Sequence, residues 1–163
     1  MPRSAVVRIH LAASLAALAI VSSFLVCSAS VEAFGDEGDI RGAKAWILRV
    51  LVLLIPIVAA AGVSGRRLAG RSRAAVVRRK LRRMKAIGAT GMLVLVPCAI
   101  TLERLAAQND FGLAFATVQA VELLGGTLNL TLMMLNFRDG MALRTKRTAA
   151  RRRRSAAVTA VSR

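Results

Sequence analysis

The chain has few acidic residues. Only eight of its 163 residues are Asp or Glu, against 25 Lys and Arg, and the formal net charge is +17. In a soluble protein this charge would suggest a nucleic-acid partner, because clusters of Lys and Arg release counterions from phosphates. Proteins that bind single strands also interleave aromatic side chains with the basic ones. Here the five Phe and the Trp lie in or beside apolar segments, so we expect no nucleic-acid partner.

Cysteine and histidine are also scarce, which limits the chemistry that the chain can carry. Cys27 and Cys98 both fall in apolar segments, where thiols behave as small hydrophobic groups, so we expect no disulfide framework. The single histidine, His10, excludes bis-histidine haem ligation within one chain. The sequence shows no Ser/His/Asp set, no cluster of metal ligands and no phosphate-binding loop. We therefore expect no enzymatic activity, no metal and no cofactor.

Apolar residues, in contrast, are abundant and concentrated in four blocks. They make up 56% of the chain, above the roughly 45–50% of soluble domains. A spanning helix needs about 20 mostly apolar residues, and the uncharged runs predict helices at about 9–32, 46–65, 86–105 and 111–137. The sequence thus predicts an all-α membrane protein, a bundle of four transmembrane helices in residues 1–140. The basic remainder, 141–163, is predicted to be a disordered cytoplasmic tail.

The first block has an alternative interpretation as a cleaved signal peptide. Arg3 and Arg8 precede the apolar stretch, and residues 31–33 have the small-residue pattern of a cleavage site. The uncharged run from 9 to 31 is 23 residues long, whereas the apolar region of a signal peptide usually has roughly 7–15. We favour a retained span, and cleavage stays open as the alternative.

The basic residues fall mainly in two stretches, each after an even-numbered apolar block. Residues 66–85 hold ten of the 25 and residues 138–163 hold nine. Because cytoplasmic flanks of spanning helices are enriched in Lys and Arg, this pattern predicts that both termini are cytoplasmic. Arg-rich usage beside abundant Ala, Val and Leu is typical of a bacterial protein, so we expect the inner membrane. Between the second and third helices we predict a basic amphipathic segment on the inner surface, which contacts anionic lipid through Arg78, Arg79, Lys80, Arg82, Arg83 and Lys85.

Glu122 is the only acidic residue well inside a predicted span. It lies near the centre of 111–137, and an ionisable residue there is costly and usually faces the protein interior. Helical spacing places further polar residues on the same side of this helix. We expect that face to point into the bundle as an intramembrane polar seam made of Gln119, Glu122, Asn129 and Asn136.

The depth of Glu122 predicts its partners. At about 1.5 Å rise per residue, its level coincides with Ser22 and Ser23 in the first helix. The carbonyls of Val52 and Leu93, which two prolines deprive of their helical donors, lie within about a turn of that level. A protonated Glu122 can donate a hydrogen bond to any of these four residues. Burial far from a cation favours this neutral form.

The last predicted helix carries a resemblance to known proteins. Together with 80–84, Gly91 and Pro97, the string DFGLAFATVQAVELLGGTLNLTLMMLNFRDGMAL at 110–143 resembles a family of small bacterial membrane proteins with four predicted helices. Its most specific part is Val118, Gln119, Glu122, Leu123, Asn129, Leu130, Asn136, Arg138, Asp139 and Gly140. The resemblance implies that the fourth helix is the functional or structural centre, and it brings no activity with it. A shorter string, 122–126, is similar to the last helix of DoxX-type proteins.

Three functions are compatible with these features. The first is a non-enzymatic scaffold, assembly or accessory subunit that binds anionic lipid or a membrane-protein partner, or forms a homo-oligomer. The second is a small proton-coupled transporter or channel built around Glu122, and the third is a quinone-binding or redox-accessory subunit. We expect the first, because no second intramembrane acid or basic relay completes a proton path.

Overall fold

The computed structural model describes residues 2–70 and 75–161, with side chains as far as residue 142. The chain is helical in these residues, and a five-residue π-helical segment, Gly91–Leu95, joins the third helix to the fourth. Residues 71–74, part of the predicted basic segment, lie outside the described residues. The helices are α1 Arg3–Phe34, α2 Glu37–Ala69, α3 Ala75–Thr90, α4 Val96–Ala107 and α5 Leu113–Val161.

Four stretches of helix are long and apolar enough to cross a membrane. They are Arg3–Phe34, Glu37–Ala69, Ala75–Ala107 and Leu113–Ala142, with 30 to 33 residues each. Such helices are about 45–50 Å long at 1.5 Å per residue, whereas the hydrocarbon core of a bilayer is about 30 Å thick. The prediction of an all-α protein with four potential spans is confirmed, and the helices extend past the predicted limits by several polar turns.

Consecutive long helices run in opposite directions. Near the start of α1, the His10 ring nitrogen Nδ1 lies 3.0 Å from the Ala61 carbonyl oxygen near the end of α2. In the third and fourth long helices, Arg83 of α3 forms an ion pair with Asp139 of α5, with 2.8 Å between the charged atoms. The start of α1, the end of α2, the start of α3 and residue 139 of α5 therefore lie at one end of the bundle.

The connection between α1 and α2 is much shorter than the predicted loop. Only Gly35 and Asp36 separate the two helices. A capping box begins α2: Asp39 N donates to Asp36 Oδ1 at 2.9 Å, and Asp36 N donates to Asp39 Oδ2 at 3.2 Å. Because α2 begins at Glu37 rather than at the predicted residue 46, Lys44 lies within the helix instead of before it.

The third long helix contains the π-helical turn just before Pro97. Proline has no backbone N–H, so the Leu93 carbonyl cannot receive its usual donor four residues later. The chain responds with a wider turn in which the Val96 N–H donates to the Gly91 carbonyl. The basic segment predicted between the second and third helices is helical from Ala75 onward: this part is α3, and it continues through the π-helical turn into α4.

Two apolar clusters hold the helices together. One joins α1 to α2 through Ala17, Val21 and Leu54. The other consists of Leu102 and Ala106 of α4 with Phe115 of α5. These two clusters hold neighbouring helices together. Because α5 also contacts α1, the first and last pairs of helices form one bundle.

The backbone of α5 differs from the prediction for the C-terminal segment. The helix continues to Val161 and has 49 residues, whereas 141–163 was predicted to be disordered. The physical reason is composition, since Ala and Arg dominate this stretch and both have high helix propensity. Side chains from 143 onward, including the basic ones of the predicted tail, lie outside the described residues.

Candidate functional site

A buried ion pair joins α2 to α5. Lys44 Nζ lies 2.8 Å from Glu122 Oε2, and the two side chains are 1% and 13% exposed. The same Nζ donates to Ser28 Oγ of α1 at 2.6 Å. An isolated charge inside the bundle would have a large desolvation cost. Each of the two residues can therefore be buried because the opposite charge of the other compensates it.

Ser28 connects this pair to the polar seam. Its hydroxyl donates to Glu122 Oε2 at 3.1 Å and accepts from Lys44 Nζ and from Gln119 Nε2, the latter at 3.0 Å. A serine hydroxyl offers one donor and two acceptor positions, and all three are used. The four side chains, on α1, α2 and α5, form what we call the ion-pair cluster: Ser28, Lys44, Gln119 and Glu122.

Glycines next to Glu122 allow the helices to come this close. A Cβ atom added to Gly125 would lie 2.9 Å from Leu95 Cδ2, and one added to Gly126 would lie 3.4 Å from Leu25 Cδ1. Small residues at such contacts let membrane helices pack closely. The Gly125-Gly126 pair thus brings α1 and the π-helical segment against the turn of α5 that follows Glu122.

The four residues of the predicted seam lie on the inner side of α5. Gln119, Asn129 and Asn136 are buried, at 5%, 4% and 7% exposure. In the part of the chain that the structure describes, the amide oxygens of these three residues have no hydrogen-bond partner. Buried acceptors without donors call for an explanation, commonly water or a bound molecule.

The predicted partners of Glu122 are corrected by the structure. Glu122 contacts Ser28 and Lys44 rather than Ser22, Ser23 or the carbonyls of Val52 and Leu93. The Ser23 hydroxyl donates to the carbonyl of Ile20 in its own helix, and the side chains of Val52 and Leu93 are 72% and 74% exposed.

The error came from the assumed depth. Glu122 lies nine residues after the start of α5 at Leu113, about 14 Å along the helix. This level coincides with Ser28, six residues before the end of α1, and with Lys44, seven residues after the start of α2. The cation that the sequence analysis placed far away is therefore within hydrogen-bond distance.

The sequence analysis did not identify Lys44 as the ion-pair partner of Glu122. Two signals could have identified it. Asp36 and Asp39 have the spacing of a capping box, which predicts a helix start before residue 40. On such a helix, the apolar residues Ile40, Ile47 and Leu51 lie four, three and seven residues from Lys44, so they share its face.

A cavity of about 260 Å³ lies beside the ion-pair cluster. All four long helices contribute to its wall, which is almost entirely apolar, with Leu51, Leu54, Leu95 and Met133 among the lining residues. Its polar wall residues are Ser28, Glu122 and Asn129. The buried carboxylate therefore contacts both a lysine and an apolar space that can hold a small molecule.

Charges are distributed unequally between the two ends of the bundle. The end that contains the start of α1 carries exposed cations from all its helices, which we call the basic end. The opposite end carries most of the acidic residues, including Glu32, Asp36, Glu37, Asp39 and Asp110. Among the residues whose side chains the structure describes, the exposed cations of the basic end are Arg3, Arg8, Arg66, Arg67, Arg78, Arg79, Arg82, Lys85 and Arg138.

The six predicted lipid-contacting residues do not all face outward. Arg78, Arg79, Arg82 and Lys85 are exposed on α3. Arg83 is only 20% exposed and pairs with Asp139 of α5. Lys80 is half-buried, with its Nζ 3.2 Å from the position that a Cβ on Gly140 would occupy. Two of the six thus attach α3 to α5, and four remain accessible.

Comparisons of this chain with protein-family models, with curated proteins and with solved structures find no match.

Proposed function

We propose that this chain is a non-enzymatic membrane protein, a scaffold, assembly or accessory subunit, which binds anionic lipid or a membrane-protein partner through its basic end. The observation that carries the proposal is the two-sided arrangement of α3. Its exposed charged residues are the cations Arg78, Arg79, Arg82 and Lys85, while Arg83 and Lys80 turn toward α5. A row of four cations in the first turns of a long apolar helix suits a surface of anionic headgroups.

The ion-pair cluster supports this non-transporting role over a proton carrier. A carrier carboxylate must gain and lose its proton or ion during each cycle. Glu122 instead shares one oxygen between Lys44 and Ser28, and the hydroxyl of Ser28 has no donor or acceptor position left. We infer that the cluster links α1, α2 and α5, and that it serves the stability and specificity of the bundle.

Removal of two exposed cations from α3 tests the lipid-binding proposal. Each Lys or Arg near an anionic surface contributes about 1 kcal/mol, so Arg78→Gln with Arg82→Gln should lower the preference for phosphatidylglycerol over phosphatidylcholine about thirtyfold. The effect should weaken at high salt, because exposed charges are screened. Native mass spectrometry of protein released from mixed-lipid nanodiscs measures the lipids retained.

The chain offers a matched control for that experiment. Arg49 and Arg104 are also exposed but lie away from the basic end, so Arg49→Gln with Arg104→Gln removes the same charge from elsewhere. This control should keep the preference of the unaltered protein. Equal losses in the two double variants would show that net charge matters and that the basic end is no lipid site.

We further propose that the protein resides in a bacterial inner membrane with both termini in the cytoplasm. The support is the enrichment of Lys and Arg at the basic end, as in cytoplasmic flanks of spanning helices. After both native cysteines are replaced by alanine, Gln108→Cys should react with a membrane-impermeant maleimide in intact spheroplasts. Ala142→Cys should react only after the membrane is permeabilised. Both positions are exposed, and the reverse pattern of labelling would overturn the orientation.

A further inference from the structure

We propose that the cavity beside the ion-pair cluster binds an uncharged, lipid-soluble molecule that carries a hydroxyl group, and that the carboxylate of Glu122 accepts the hydrogen bond of this hydroxyl. This site is distinct from the basic end, and the proposal stands independently of the function assigned to that end. It assigns a role to two features that the ion pair leaves unexplained, the apolar cavity and the second carboxylate oxygen of Glu122.

The size and walls of the cavity define the body of the ligand. At about 260 Å³, the cavity exceeds the roughly 150 Å³ that accommodates benzene. It approaches the lower limit of small-molecule pockets, roughly 300 Å³. Water alone is poorly accommodated, because a buried water needs two to four polar partners and the wall is almost entirely apolar. The space therefore fits a short hydrocarbon chain or a small ring system.

The polar residues of the wall define the functional group. Lys44 and Ser28 both donate to Glu122 Oε2, and in the described part of the chain Oε1 receives no hydrogen bond. The Asn129 amide oxygen is buried and also lacks a donor there. A free acceptor on an otherwise apolar wall favours a ligand that donates a hydrogen bond, as a hydroxyl group does.

The charge of the cluster excludes an ionic ligand. Lys44 already compensates the carboxylate of Glu122 at 2.8 Å. A second cation would leave one positive charge in excess inside an apolar bundle, and an anion would leave one negative charge, each at a large desolvation cost. A neutral hydroxyl donates a hydrogen bond to the carboxylate without changing the net charge, so an alcohol is the chemical class that fits.

Glycines and the π-helical turn leave room for the cavity and for an opening that connects it to the lipid. Gly88 and Gly91 line the cavity, and a Cβ atom added to Gly88 would meet no atom within 4 Å. Ile55 of α2 and Met92 of the π-helical segment also line it and are 41% and 53% exposed. Exposed apolar residues of a spanning helix face lipid, so a membrane-dissolved molecule can reach the cavity between α2 and the π-helical segment.

The test uses the full chain in lipid nanodiscs and a photoreactive 1-decanol that carries a diazirine at its apolar end. We expect cross-links on peptides that line the cavity, such as those with Met92 and Leu123. Unlabelled 1-decanol should compete about tenfold better than decyl methyl ether, because the ether cannot donate a hydrogen bond to the carboxylate. Gly88→Leu, which places a side chain in the open space, should reduce labelling at least tenfold.

Gly62→Leu is the matched control. Gly62 is also a helical glycine with nothing within 4 Å of an added Cβ, but it does not line the cavity, so labelling should persist. If Gly88→Leu does not accumulate in membranes, Gly88→Ala gives a smaller loss of labelling by the same mechanism. Undiminished labelling in the Gly88 variant that is recovered, or equal competition by the alcohol and the ether, would overturn the proposal.

Discussion

Glu122→Leu should lower the free energy of unfolding by about 3–5 kcal/mol, and adding Lys44→Met to the same chain should restore most of that loss. The single change leaves the ammonium group of Lys44 buried, at 1% exposure, and removes the carboxylate that lies 2.8 Å from it. The double change removes both charges and substitutes side chains of similar size, and such replacements of a buried ion pair are often neutral or stabilising.

The measurement is equilibrium unfolding in mixed micelles, with helicity followed as the denaturing detergent fraction rises. Lys44→Met alone should also lower stability, because it leaves the carboxylate of Glu122 without its cation although Ser28 and Gln119 stay in place. A double variant that is less stable than both single variants would contradict the assignment of the pair as mutually compensating.

The folded double variant also discriminates between the structural role and transport. Reconstituted into liposomes with a pH gradient, it should give the same proton leak as the unaltered protein. A lower flux would show that Glu122 carries protons, whatever the effect of the substitution on stability.

Phe115→Ala should produce the second large effect, a loss of about 3 kcal/mol. Phe115 is 3% exposed and packs on Leu102 and Ala106, both fully buried. Its ring also meets Phe111 edge to face, with centroids 5.2 Å apart. Truncation leaves a void where α4 and α5 meet, and the atoms around the void lose their dispersion contacts.

Leu113→Ala is the control for Phe115→Ala, since Leu113 lies two residues away on α5 and is 85% exposed. It should change stability by less than about 0.5 kcal/mol. The same micelle unfolding assay compares the two variants. Similar values for both would mean that the contact between α4 and α5 contributes little to the stability of the bundle.

Composition and charge were sufficient to predict the helical architecture. Uncharged runs identify spans because a backbone in lipid must satisfy its own hydrogen bonds, and a helix does so locally. This signal depends only on neighbouring residues, so it needs no knowledge of how the helices pack. It places all four long helices, although the polar turns at their ends, such as those around Asp36 and Asp39, extend them beyond the uncharged runs.

The partner of Glu122 was not predictable by the same means. Lys44 and Glu122 are 78 positions apart, and depth estimates treat each helix as an independent rod centred in the bilayer. The true level depends on where the capping box starts α2 and on how closely Gly125 and Gly126 let α5 approach its neighbours. The π-helical turn before Pro97 was likewise missed, because a proline predicts only a disturbed hydrogen bond and several geometries resolve it.

The separation of Lys44 and Glu122 along the chain also has a consequence for biosynthesis. At 5–20 residues per second, the ribosome needs roughly 4–16 s to make the 78 positions between them. During that interval α2 has been made but Glu122, the ion-pair partner of Lys44, has not. The ion pair can therefore form only after α5 has been made, late in the assembly of the bundle. Closure of the ion pair would then mark the completion of the bundle.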